Sequence, residues 1–497
     1  MSAATAVLLG LDIGTSGVKA MLVEASGGCL AQAHTPLSLA TPFPGWAEQH
    51  PDDWWRATCV SIRTLLEQHP AVEIAAIGLS GQMHSSVFLD ASGAVVRPAL
   101  LWCDGRTTAE CREIVTRAGG DAQLREWVAN PALEGFTLPK VLWLRTHEPE
   151  AFARVRTVLL AKDFIRLRLT GRATSEPSDA SGTLMFDPVR GAWQAELLRT
   201  MELSADLLPP VEASAVVHSV VSSEAATLTG LRAGTPVVGG GADNACGALG
   251  VGVVTPGSAV ASWGTSGTVL APTAQPLVDP AMRAHTFAHV APETWYVMGV
   301  VLSAGGAFAW YREQFARGAT DALLDAEAAT IPPGADGITF VPYLQGERTP
   351  HRDASARGAF LGLSLAHGRA HTTRAVLEGI GFAMKDALGV LAELGISPRE
   401  LRLTGGGARS PFLRQLQAEI YDRPVWTVNR DEGPAFGAAL LAGVGVGAFA
   451  SVADAAAQTV HAEGVTEPAP GAWLAYAPAY ARYRAAYGAL RAITAMA

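Results

Sequence analysis

An almost unbroken apolar run, Ala6-Val7-Leu8-Leu9-Gly10-Leu11, gives way to Gly14-Thr15-Ser16-Gly17, and apolar residues resume from Val18 to Glu24. That pattern predicts a strand, a tight turn and a returning strand, with a third strand over Cys29 to Thr35. A helix is predicted from Pro51-Asp52-Asp53, where proline suits the first turn and the two acids face the positive helix end. Ile74 to Leu79 reads as a buried strand running into a loop, Ser80-Gly81-Gln82-Met83-His84. The second half repeats the pattern with strands at Ser258 to Trp263 and Thr268 to Thr273, then a long apolar segment from Trp295 to Trp310. His371 to Leu394 predicts a helix with Val376, Ile380, Ala383 and Ala387 on one stripe. Leu401 to Thr404 is a short strand feeding Gly405-Gly406-Gly407-Ala408-Arg409, after which Ser410 and Pro411 fit the N-cap and first residue of a helix. Helices alternating with strands predict an α/β layer architecture.

The tetrapeptide Gly-Thr-Ser-Gly occupies both predicted hairpin tips, at Gly14 and again at Gly264, about half a chain apart. Exposed N–H groups at such tips form anion-binding concavities, so two similar halves are expected to hold a nucleotide between them. The triple glycine before the Ser410 helix is a second phosphate-compatible device. A chain of 497 residues exceeds what one core supports. The charge-free stretch from Asn244 to Val278 marks the junction, giving expected domains of residues 1–248 and 249–497. A net charge of −9 argues against a nucleic-acid partner. Five cysteines without a C-x-x-C pair support neither a disulfide framework nor a zinc site. Met1 to Thr5 lacks a basic leader, and Gly433 to Ala453, glycine-rich and uncharged from Gly433 on, reads as a buried helix and turn and not a membrane span. A cytoplasmic protein is expected.

Several side chains stand where chemistry could happen. Asp12 precedes the first tip, and a carboxylate beside a phosphate cradle suggests a shared Mg²⁺; it could equally hydrogen-bond the turn. Asp243, after Gly239-Gly240-Gly241-Ala242, could take a proton from an attacking hydroxyl, or N-cap a helix beginning at Asn244. Gln82, Met83 and His84 suit a small polyhydroxylated ligand, although a loop histidine can also be a structural partner. Trp102-Cys103-Asp104-Gly105-Arg106 offers an aromatic plane and two charges for a sugar, or a surface turn closed by an Asp104–Arg106 pair. No P-loop signature is present, and no G-x-G-x-x-G follows the first strand.

These segments, in this order, resemble the FGGY family of carbohydrate kinases, relatives of actin and hexokinase. The likeness runs through Asp12-Ile13-Gly14-Thr15-Ser16-Gly17-Val18-Lys19, Lys140-Val141-Leu142-Trp143-Leu144, Gly240-Ala242-Asp243-Asn244 and Trp263-Gly264-Thr265-Ser266-Gly267. It continues through Leu344-Gln345-Gly346-Glu347-Arg348-Thr349-Pro350, Ala375-Val376-Leu377-Glu378-Gly379 and the Gly405 to Arg409 run. Trp46-x-Glu48-Gln49, Gly81-Gln82-Met83-His84 and the Trp102 motif are most similar to its xylulose-phosphorylating branch, with departures at Cys103, Ser85 and Thr372. The resemblance implies two ribonuclease-H-like domains closing over ATP and a sugar. It implies Asp243 as base and Asp12 near metal and phosphate. Gln82, Met83, His84, Trp102, Asp104, Arg106, Asp243 and Asn244 would lie at the sugar. Gly14, Thr15, Ser16, Lys19, Gly264, Thr265, Ser266, Gly406, Gly407, Ala408 and Arg409 would lie at the nucleotide. The implied partners are a sugar, ATP and Mg²⁺, with a homodimer as one possible assembly. Ribulose, glycerol or gluconate remain alternative acceptors, and a non-transferring ATPase or a sugar sensor alternative roles.

Overall fold

The computed structural model describes residues 5–430 and 433–494, which form two large mixed sheets with helices packed on them. Met1 to Ala4, most of the stretch read for a leader, lie outside the described residues. The first sheet contains β1 (Thr5–Ile13), β2 (Gly17–Glu24), β3 (Cys29–Pro36), β4 (Val72–Gly81), β5 (Val217–Val220) and β6 (Pro236–Val238). Its order is β5-β6-β4-β1-β2-β3. The second contains β7 (Ser258–Trp263), β8 (Gly267–Thr273), β9 (His285–Ala288), β10 (Trp295–Val301), β11 (Glu400–Gly405), β12 (Val425–Val428) and β13 (Ala462–Thr466). Its order is β9-β10-β8-β7-β11-β12-β13.

The two orders superimpose. In each half an antiparallel hairpin with a third strand is joined, through the hairpin's first strand, to two parallel neighbours and one antiparallel edge. Only β9 is extra. The repeated tetrapeptide thus belongs to a repeated α/β unit, as its spacing predicts.

The helices that position the site are α1 (Pro51–Gln68), α2 (Thr137–His147), α3 (Ala161–Thr170), α4 (Asp243–Gly250), α5 (Gly305–Phe315), α6 (Arg369–Glu393), α7 (Pro411–Tyr421) and α8 (Pro434–Gly445). Helix α1 starts at Pro51, and α7 is capped by Ser410, whose hydroxyl accepts from Leu413 N at 3.4 Å. One expectation is corrected. Ser80 and Gly81 belong to β4 and not to a loop, because Asp12 and Ile13 pair with them on one side and the short strand Gly241–Ala242 on the other. The Trp295 to Trp310 segment splits into β10 and α5, since Ala304, Gly305 and Gly306 turn their N–H groups onto the Thr265 and Gly264 carbonyls. Gly433 to Ala453 begins with the buried helix α8, and no helix among the described residues is long and apolar enough to cross a membrane.

Helix α8 comes from the second half of the chain but packs on the first sheet. Its Ala435, Ala438 and Ala439 belong to the same apolar cluster as Leu8 and Ala76. The approach is backbone to backbone. A methyl group on Gly10 of β1 would overlap the Ala435 carbonyl, one on Gly78 of β4 the Ala438 carbonyl, and one on Gly437 the Cys246 carbonyl of α4. Three glycines therefore bring α8, β1, β4 and α4 into close contact.

Gly437→Ala is expected to destabilise the protein by roughly 1–3 kcal/mol, because backbone on both sides prevents relief of the overlap. Gly389→Ala, on the open face of α6 with nothing within 4 Å, should instead stabilise by about 0.5–1 kcal/mol. Urea midpoints of the two variants against wild type check both signs.

Candidate active site

Strands β1 and β4 run parallel and end side by side, which places Asp12 next to Ser80 and, two residues beyond β4, Met83 and His84. The Gly241–Ala242 strand continues β4's other edge, so Asp243 enters the same point from a third direction. Asp243 is the first residue of α4, with Ala242 at the cap, which corrects the N-cap reading. Its Oδ1 accepts from Asn244 N at 2.7 Å and from Asn244 Nδ2 at 2.9 Å. Burial, and then the negative charge of Asp12, push its carboxyl up to about 7, against the pull of Asn244's amides. Asp12 faces Lys19 across the hairpin; burial raises it to about 6 while Lys19 pulls it down. Its Oδ1 is sealed from solvent and accepts no hydrogen bond.

Met83, His84 and Asn244 come together although far apart in the chain. Asn244 Nδ2 lies 3.6 Å from Met83 Sδ, and the Tyr296 hydroxyl lies 4.0 Å from the same sulfur. His84 adopts φ 68, and its carbonyl accepts from Thr137 Oγ1 at 3.0 Å and Lys140 Nζ at 3.1 Å. Its Nδ1 bonds the Gly182 carbonyl, so Nδ1 carries the proton and Nε2 presents a lone pair. Burial among Phe136 and Phe287 pulls its pKa down to about 3, leaving the ring neutral.

The remaining first-half candidates support this loop. Thr15 Oγ1 donates to Gln82 Oε1 at 3.0 Å and accepts from Trp102 Nε1 at 2.9 Å. Gln82 is further engaged by Gln49 and Ser85. Asp104 and Arg106 do pair, at 2.7 Å, but not on a surface: the guanidinium is buried, 3.6 Å from the Trp46 ring centroid, and reaches Glu48 Oε1 at 2.8 Å. Asp104 also accepts Ala47 N at 2.6 Å. The pair therefore closes a buried turn, which corrects the reading of a surface one, and leaves Arg106 Nη1 buried without a hydrogen-bond partner.

In the second half, a cavity of about 880 Å³ is walled by Gly264, Thr265, Gly406, Gly407 and Arg409 together with Phe308 and Phe412. The second tip and the triple glycine therefore share one pocket. Ala408, between Gly407 and Arg409 of the wall, packs its side chain against the apolar core. A smaller cavity of about 300 Å³ touches Asp243, Asn244, Ser262, Thr268, Thr404 and Gly405, lying between the acid and the glycine run. Chemically, the arrangement holds an ionisable carboxyl between a polar loop and a glycine-lined, anion-compatible channel.

Sequence reasoning missed Tyr296, hidden in an apolar strand, and the Gly305-Gly306 wall of the large cavity. It also missed that Glu347, whose segment was noticed, is a buried acid accepting from Leu302 N and Arg348 N. Glu347 Oε2 is buried without a partner, and burial lifts its carboxyl to about 8.

Residues 7–250 match the FGGY family of carbohydrate kinases, N-terminal domain, and residues 259–446 match its C-terminal domain. The chain is 41% identical to a xylulose kinase of Escherichia coli (strain K12) over 435 residues, covering 87% of this chain and 89% of that protein. It is 39% identical to a xylulose kinase of Bacillus subtilis (strain 168), covering 91% of each. A crystal structure of a xyloylose kinase from Brucella ovis is similar with a TM-score of 0.91 and 39% identity, over 98% of this chain and 100% of that one. The chain belongs to the FGGY family of carbohydrate kinases.

Proposed function

We propose that the protein transfers the γ-phosphoryl group of ATP to the terminal hydroxyl of D-xylulose, forming D-xylulose 5-phosphate. The observation that carries this reading is the position of Asp243, which lines the channel toward Gly405 while its neighbour Asn244 touches Met83 of the polar loop. The similarity to xylulose kinases supports the choice of acceptor. Residues 1–248 would carry sugar and base, and 249–497 the nucleotide.

Met83, His84 and Asn244 hold the sugar, with His84 Nε2 accepting from one of its hydroxyls. Gly264, Thr265, Gly406, Gly407 and Arg409 face the nucleotide, and the first tip with Lys19 faces the transferring phosphate. Asp243 takes the proton of the attacking hydroxyl as its oxygen bonds to γ-phosphorus and the bond to the ADP oxygen breaks. Closure of the two halves keeps water from acting as acceptor.

Asp12 suits Mg²⁺, which commonly takes one or two carboxylates and leaves its other positions to phosphate and water; one sealed, unpartnered carboxylate oxygen fits that need. Among the described residues no group of three or more His, Cys, Asp or Glu side chains could hold a metal unaided. Bound beside Asp12, Mg²⁺ would neutralise charge on the phosphates.

ADP release measured with xylulose, ribulose, glycerol, gluconate and no sugar tests the assignment. Xylulose is expected to give the highest kcat/KM; equal turnover without any sugar would overturn the kinase reading, and a faster alternative would replace only the acceptor.

His84→Asn, which tolerates the left-handed backbone, should raise KM for the sugar several-fold with little change in kcat or in KM for ATP. The loss of one hydrogen bond is worth about 0.5–1.5 kcal/mol. Steady-state kinetics with each substrate varied checks the split.

Asp243→Asn should lower kcat about 10²–10⁴-fold. In wild type, kcat/KM for the sugar should fall as pH drops through about 7, where Asp243 protonates, and hold above it; His84 near 3 does not titrate there. Stability runs the other way. A carboxyl raised from 3.8 to about 7 holds its proton longer in the folded state, so stability falls as pH rises through that interval. The Asn variant should therefore melt higher than wild type at pH 8, with the gap closing toward pH 4. A variant that kept more than about a tenth of wild-type kcat would exclude the base role.

A further inference from the structure

Behind Asp243 lies a buried polar cluster that phosphoryl transfer leaves without a task. Lys162 on α3 is fully buried, with Nζ 2.6 Å from Asp163 Oδ1 and 3.4 Å from both Glu176 Oε1 and Asp179 Oδ2. Glu176, also fully buried, accepts from Ser178 N at 2.9 Å, Asp179 N at 2.8 Å and Ser214 Oγ at 2.7 Å. It also takes the Ser178 hydroxyl at 2.9 Å. A hydroxyl has one proton, so Ser178 Oγ has only lone pairs left for other neighbours. One of them accepts the Ala242 N–H at 3.0 Å.

Ala242 is the residue before Asp243 and the cap of α4. The turn leading to it contains Gly240 at φ 76, and the Gly241–Ala242 strand pairs with β4 over two residues only. The hydrogen bond to Ser178 is therefore a restraint on the peptide that carries the base. It is also a reinforced one, because a hydroxyl that donates to a carboxyl oxygen is strengthened as an acceptor.

We propose that Ser178 is a positioning residue for Asp243: anchored by Glu176 and Lys162, its oxygen fixes the Ala242 peptide and so the direction in which the Asp243 carboxylate meets the sugar hydroxyl. This rests on Asp243 acting as base. Ser214 supplies an internal comparison, since it is also buried and its hydroxyl donates to the same Glu176 but makes no bond to Ala242.

The test is a kinetic cycle on the full-length protein with Ser178→Ala, Ser214→Ala, Asp243→Asn and the Ser178→Ala/Asp243→Asn double variant. Misaligning a reacting group by about 1 Å can cost up to ~10²-fold, so Ser178→Ala should lose about 10- to 10²-fold in kcat. KM for sugar and for ATP should stay within about three-fold, and Ser214→Ala should keep kcat within about three-fold. The double variant should be no slower than Asp243→Asn, because a residue acting through the base has nothing left to align. Equal losses in the two serine variants, a normal kcat in Ser178→Ala, or losses that multiply in the double variant would overturn the proposal. A normal kcat in Asp243→Asn would instead overturn the base reading on which it stands. If Ser178→Ala does not fold, Ser178→Cys, near in size with a weaker hydrogen-bonding group, enters the same cycle and is judged by the same outcomes.

Discussion

The contact of α8 with the first sheet is the constraint on which the site depends. Strand β1 ends at Asp12, β4 leads to Met83 and His84, and α4 begins with Asp243. Gly10, Gly78 and Gly437 let one helix touch all three elements at backbone distance. Backbone contacts of this kind have no side-chain rotamers to absorb error, so they fix the relative positions of the elements more tightly than packed leucines would. Because α8 belongs to the second half of the chain, the first half's site is completed by residues beyond the expected boundary at 248. A boundary drawn where charge disappears from the sequence thus separates two sheets but not two independent cores.

That rigidity carries an electrostatic cost. Asp12 and Asp243 are both lifted by burial, and Asp12's charge lifts Asp243 further. The free protein holds two mutually repelling carboxyls at the point where cation and hydroxyl would arrive. Each ligand would relieve part of this: a cation would offset Asp12, and a donor hydroxyl would satisfy Asp243. The polar environment is in place before the substrates bind, which is the arrangement that lets fixed groups act on a developing charge without reorganising.

Much of this was legible in sequence, and the parts that were not share a cause. The hairpins, the start of α1, the cap of α7 and the repeated unit all follow from local patterns of apolar residues, proline and glycine. Asp12, Asp243 and the glycine run stood out because glycine-rich turns announce themselves. What local pattern could not reveal was partnership across distance. Asp104 and Arg106 looked like a surface turn until Trp46 and Glu48 enclosed them. Ala408 sits in a phosphate-like motif but faces the core. The Glu176–Ser178–Ala242 chain joins residues 64 apart, and Tyr296 meets Met83 across 213. Such pairs leave no periodicity to read.

The two identical tetrapeptides show how far a repeated motif can diverge in use while its backbone is kept. At the first tip, Thr15's hydroxyl is taken up by Gln82 and Trp102, and its carbonyl by Gln49 Nε2 at 2.8 Å. At the second, the Gly264 and Thr265 carbonyls accept the first N–H groups of α5, and the tip opens onto the large cavity. The first tip is therefore bonded to the loop assigned to the sugar, the second to the wall assigned to the nucleotide. The helix α5 N-terminus, which could have bound an anion, is instead satisfied by protein carbonyls, leaving the glycines of β11's end and the tip's own N–H groups as the anion-compatible surface of that half. Duplication supplied the same turn twice; the side chains and carbonyls around each copy set what it is bonded to.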